Sequence, residues 1–122
     1  MTGRVAGFDH VSLPMRNEEA MVAFYRSLGM QVAERPGVVS VYVGEQMINL
    51  HRPGIWQRDD FTLRAPAAQP PCGDVCFVWE GTADELHTLL ADVGAAIEEG
   101  PVPRQGGRQR DATSVHSATL AW

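Results

Sequence analysis

"GFDHVSLPMRNEEAMVAFYRSLGMQVAERPG", residues 7–37, decides the fold of this chain. Its opening "GFDHVSLPM" alternates. Val11 and Leu13 point to one side while Phe8, His10 and Ser12 point to the other, the period of a half-buried strand. From Asn17 to Gly29 the period changes. Met21, Phe24, Tyr25 and Leu28 form one apolar stripe at helical spacing. Asn17 takes the N-cap position, Glu18 and Glu19 sit at the positive end of the helix dipole, and Gly29 suits the C′ position. Residues 30–35 return to strand, and Pro36-Gly37 marks a turn.

Two more strands follow at 38–43 and 46–52, joined at Gly44-Glu45. After a loop over 53–72 the pattern begins again. "GDVCFVWE", 73–80, reads as a strand, and "TADELHTLLADVG", 82–94, reads as a helix. That helix opens with a capping box from Thr82 to Glu85 and carries an apolar face of Leu86, Leu89, Leu90 and Val93. "AAIEEGP" at 95–101 parallels "MQVAERP" at 30–36. The spacing agrees: His10 to Gly29 is 19 residues and Asp74 to Gly94 is 20, while Gly29 to Pro36 and Gly94 to Pro101 are seven each. A duplicated strand–helix–strand unit accounts for this, with His10 and Asp74 in equivalent positions. The first copy continues into a hairpin. The second continues into a loop, "VPRQGGRQRD" at 102–111, and then residues 112–122, enough for one strand only. The expectation is a second copy lacking the counterpart of 46–52, with an open apolar edge that a partner chain covers.

A chain of 122 residues suffices for one domain with a real core. Its 44% hydrophobic and 20% charged content are ordinary for a soluble protein. No apolar run reaches membrane-span length and residues 1–16 lack a signal-peptide pattern, so a cytoplasmic protein without a membrane partner is expected. The net charge of -5 argues against nucleic acid as a partner. Cys72 and Cys76, on one strand, stand about 13 Å apart, beyond disulfide reach. They read as reduced thiols.

"DHVSL" at 9–13, "FYRSLGM" at 24–30, "QMINLHRPG" at 46–54, "CGDVCFV" at 72–78 and "EEGPVPRQGGR" at 98–108 follow one another in order. Together they resemble the vicinal oxygen chelate superfamily of glyoxalases, bleomycin-resistance proteins and extradiol dioxygenases, over residues 6 to about 116. The resemblance implies an α+β fold in which two βαβββ modules form a cup-shaped half-barrel within a homodimer. Module one spans about 6–52, the loop 53–72, and module two about 73–122 without its last strand. It also implies a divalent metal (Zn, Ni, Fe or Mn) bound by the first and last strands of each module. Those strands carry His10, Asn49 or His51, and Asp74. The fourth ligand, a glutamate near the end of the final strand, has no counterpart after Glu99, so the metal site is incomplete.

Each candidate has two readings. His10 and His51 are metal ligands, or histidines lining a pocket. Asn49, a poor ligand for transition metals, hydrogen-bonds a substrate. Asp74 is a ligand or general base, or caps the turn after Gly73. His116 stands where resembling proteins place a substrate-facing tyrosine, or lies exposed on an edge strand. Trp56 and Phe61 lid the cup and stack on an aromatic ligand, or pack against a partner. Arg104, with Arg108 and Arg110, meets an anionic substrate or belongs to a solvated loop. His87 is solvated. Two functions compete: a metal-dependent lyase, isomerase or dioxygenase, and a metal-independent protein that sequesters an antibiotic. A third reading is a degenerate member kept for its fold.

Overall fold

The structure, a computed structural model, describes residues 2–107 and 111–117. The chain divides into two compact units, one up to Val75 and one from Cys76 onward. The first contains β1 (His10–Pro14), α1 (Glu18–Ser27), β2 (Gln31–Glu34), β3 (Val38–Val43), β4 (Gln46–His51) and a single turn, α2 (Pro53–Trp56). Its sheet runs β1-β4-β3-β2. β1 and β4 are parallel, and the other neighbours are antiparallel. The β3–β4 hairpin closes at Gly44, whose φ of +59° is a conformation that glycine adopts without strain.

The core follows the two periodicities. Met21, Val22 and Tyr25 of α1 cluster with Val39 and Val41 of β3, Ile48 and Leu50 of β4, and Met15 beyond β1. Phe24 and Leu28 complete the helical stripe as partly buried neighbours. Asn17 occupies the N-cap position of α1, but its side chain makes no capping bond. Val11 is 41% exposed although it alternates with Leu13, because β1 is an edge strand and stands beyond the reach of full cover.

The second unit holds α3 (Ala83–Asp92) and the antiparallel pair β5 (Ile97–Gln105) and β6 (Asp111–Ser117). The capping box is realised: the Glu85 amide donates to Thr82 Oγ1, and the Thr82 amide to Glu85 Oε1, both at 3.1 Å. Both long helices end alike. Met30 N–H reaches the Tyr25 carbonyl and Gly29 N–H the Arg26 carbonyl; Ala95 N–H reaches Leu90 and Gly94 N–H reaches Ala91. These are two Schellman motifs with glycine at positive φ, so both helices end in the same backbone geometry. Leu90 and Ala95 are buried, whereas Leu86, Leu89 and Val93 are half-buried.

Two expectations are corrected. Residues 73–80 form no strand: they join no ladder among the described residues. Local composition favours β structure there, but a strand exists only where a neighbour accepts its backbone hydrogen bonds. The segment 102–111 is not all loop either. β5 runs through Pro101 and Pro103 to Gln105, with register shifts between Ile97, Glu99 and Val102 around Gly100. An irregular edge strand tolerates prolines that a central strand would not. Residues 118–122 of the expected final strand lie outside the described residues. No described helix is long and apolar enough to cross a membrane.

Candidate functional site

The hairpin β3–β4 and its parallel neighbour β1 align their side chains in rows. Ser12 of β1 lies beside Asn49, which lies opposite Ser40. His10 lies beside Met47, opposite Tyr42, and Pro14 lies beside His51, opposite Val38. Because Val39, Val41, Ile48 and Leu50 face α1 in the core, these alternate residues occupy the other face of the sheet. That face carries the polar groups of the first unit.

At its centre, Ser40 Oγ donates to Asn49 Oδ1 at 2.7 Å. Ser40 is fully buried, so this bond satisfies a hydroxyl that has lost its water. The bond also fixes the amide: Oδ1 accepts from Ser40, and the Asn49 NH2 group has no partner among the described residues. At one end, His10 Nδ1 lies 2.7 Å from the carboxylate of Asp9. An ionised carboxylate only accepts, which puts the proton on Nδ1 and leaves Nε2 as an acceptor. At the other end, the His51 ring meets Phe61 edge-on, with centroids 5.0 Å apart and planes at 85°. Burial first, and then electrostatic interaction with His10, hold the His51 imidazole below its ordinary pKa, so the neutral form of His51 is favoured at pH 7.

Arg52 anchors this end of β4. Its Nε donates to the Arg35 carbonyl at 2.9 Å, and its terminal nitrogens reach Glu18 and Glu34 at 3.2 and 3.3 Å. The loop after it is tied down by Trp56, whose indole N–H donates to the Met15 carbonyl at 2.8 Å and whose ring lies under the Arg64 guanidinium. The Trp56 indole thus holds the loop in place, while Phe61 is the loop aromatic that reaches a polar-face histidine.

The structure therefore brings His10, Asn49, His51 and Phe61 to one face, and adds Ser12 and Ser40, which sequence reading did not single out. The signal was present: a two-residue turn at Gly44-Glu45 pairs Val43 with Gln46 and so places Ser40 opposite Asn49. Asp74 lies exposed in the segment that joins no ladder. Arg104 and His116 belong to the second unit. Arg104 is exposed on β5 and pairs with Glu99 at 3.6 Å, and His116 is exposed on β6 with its backbone beside Glu99. Arg108 and Arg110 lie outside the described residues. Cys72 and Cys76 are free and exposed thiols.

The donors do not fit a divalent metal. His10 and His51 lie four positions out of register on adjacent strands, about 13 Å along the sheet. The Asn49 oxygen is taken by Ser40. Among the described residues no three histidine, cysteine, aspartate or glutamate side chains converge.

No family model matches the chain. The virulence protein STM3117 of Salmonella typhimurium is 29% identical over 100 residues, covering 80% of this chain and 67% of that protein. An integron cassette protein of Vibrio cholerae, VCH_CASS1, superposes with a TM-score of 0.83 at 25% identity, over 99% of this chain and 92% of that one. The fold is also that of a lactoylglutathione lyase from Agrobacterium tumefaciens (TM-score 0.66, 21% identity, 98% and 90% covered). It is likewise that of the fosfomycin resistance protein FosX from Listeria monocytogenes, solved with Mn(II) and a dihydroxypropylphosphonic acid (TM-score 0.61, 12% identity, 97% and 85% covered).

Proposed function

We propose that this chain is a small-molecule-binding protein of the vicinal oxygen chelate superfamily, one that holds a planar polar ligand on the β1-β4-β3 face without a divalent metal. The observation that carries this reading is the Ser40–Asn49 hydrogen bond. It turns the free amide donors of Asn49 into a fixed element between two imidazoles, with Phe61 beside one of them. In this reading the Asn49 NH2 group donates to a ligand carbonyl or hydroxyl. Neutral His51 supplies one donor and one acceptor, and His10 Nε2 accepts a third hydrogen bond. The aromatic edge of Phe61 provides apolar area, the usual composition of a ligand site. Sequestration of an antibiotic then needs no bond to break. The mismatch between the donor set and a metal favours this over a metal-dependent lyase, isomerase or dioxygenase.

Titrating the purified protein with planar antibiotics by calorimetry tests the reading, with elemental analysis of metal on the same sample. Binding that is unchanged by chelator and weakened about tenfold or more in Asn49→Ala is the expected result. Metal near one per chain, lost together with binding in His10→Ala, would replace this reading with the metal-dependent one.

A further inference from the structure

The polar face of the first sheet extends one strand beyond the candidate site. In the β2–β3 register Ala33 lies opposite Ser40 and Gln31 opposite Tyr42, so Gln31 and Ala33 share the face of Ser40 and Asn49. Arg35 carries that alternation past the end of β2, and its N–H donates to the Val38 carbonyl at 2.9 Å. Its guanidinium leans back along the sheet, where Nη2 donates to the Tyr42 hydroxyl at 2.8 Å. Arg35 and Tyr42 flank the Ala33–Ser40 row on either side, so the two side chains meet over it. Asn49, opposite Ser40, is one strand spacing of about 4.8 Å further across.

The neighbouring arginines are neutralised. Glu34 pairs with Arg26, and Glu18 and Glu34 pair with Arg52. Arg35 is exposed and joins no ion pair among the described residues. Among those residues, the two histidines aside, it is the one charged side chain that the four strands turn to this face. Tyr42 takes one of its guanidinium donors, and the others have no partner among the described residues. A guanidinium presents a planar fork that matches a carboxylate in two parallel hydrogen bonds. The bond to Tyr42 restrains that fork in advance and so lessens the side-chain freedom lost on binding.

We infer that the ligand of this face is an anion: a planar compound whose carboxylate pairs with the free donors of Arg35 while its ring system lies toward Asn49 and Phe61. Arg35 then determines specificity, selecting the charged form of a ligand over its neutral analogue, and Tyr42 positions Arg35. This rests on the reading of the face as a ligand site and adds the charge that the ligand carries.

Calorimetric titration of the full chain with naphthoate and with naphthamide tests it, since these planar probes match in size and differ in charge. The wild-type chain is expected to bind naphthoate about tenfold or more tightly than naphthamide. Arg35→Gln weakens naphthoate to the level of the amide and leaves the amide unchanged. Arg35→Lys keeps part of the preference, because the charge remains and the planar fork is lost. Tyr42→Phe releases the guanidinium and weakens naphthoate severalfold without affecting the amide. Asn49→Ala weakens both probes alike. Far-UV circular dichroism reports whether each variant folds. Should Arg35→Gln fail to fold, wild-type titrations at rising sodium chloride replace it, with naphthoate binding falling and amide binding constant. Equal affinity for the two probes, or a preference indifferent to Arg35→Gln or to salt, overturns the inference, while loss of binding in Asn49→Ala still upholds the ligand site. Binding of neither probe, or binding indifferent to Asn49→Ala, overturns the ligand site and the inference with it.

Discussion

Among the described residues Ser40 has a single side-chain hydrogen bond, to Asn49, and it is fully buried. Ser40→Ala leaves the Asn49 oxygen without its donor, and urea denaturation is expected to show a loss of about 1–3 kcal/mol. His51 gives a second expectation through its lowered pKa. The unfolded chain binds a proton at this site near the ordinary 6.5, and the folded chain only at lower pH. Between those two points the unfolded state carries more protons, so stability falls as pH drops through that window and is unaffected above it. His51→Gln flattens this part of a stability profile measured from pH 7 to pH 5. A wild-type profile that is flat there contradicts the assignment. His10 was legible on the polar side of its strand from alternation alone. Ser40 was not, since its importance comes from the residue opposite it.

Local signals held where they concerned contacts within one turn. The Thr82–Glu85 box and the glycine ends of both helices are short-range motifs, and the structure contains them. Thr82→Ala should cost about 1 kcal/mol. Gly81→Ala should cost more. At φ +151° an added Cβ would lie 2.9 Å from Trp79 Nε1, whose N–H donates to the Thr82 carbonyl at 3.0 Å. Thermal unfolding ranks the two variants, and a change in tryptophan emission in Gly81→Ala but not in Thr82→Ala identifies the displaced ring. The signal at 73–80 misled because β propensity describes a residue's fitness for a pleated surface, not the presence of a neighbour. The prolines of β5 misled in the opposite direction, since bulges at a sheet edge absorb them.

The two units differ in how much they bury. Among the described residues, the first has eight clustered core residues, whereas the buried hydrophobic residues of the second are Leu90 and Ala95. Native-state hydrogen exchange should therefore find the slowest amides in β3 and β4 and faster exchange in α3, β5 and β6. Equal protection in the two units would mean that the second is covered more fully than its own side chains provide. The fold shared with a lactoylglutathione lyase and FosX sets the architecture, but function lies in the side chains placed on it. In those side chains this chain has a hydrogen-bonded amide and separated imidazoles.

The sequence by itself determined the mixed α+β class, the helix ends and the polar side of β1. Each depends on periodicity or on contacts a few residues apart. Tertiary structure alone decided that no three metal-ligating side chains converge among the described residues, that Ser40 orients Asn49, that Phe61 meets His51, and that 73–80 is left without a ladder. All of these depend on which backbone lies next to which. Strand register and partner availability are set by contacts distant in sequence, and no local pattern records them.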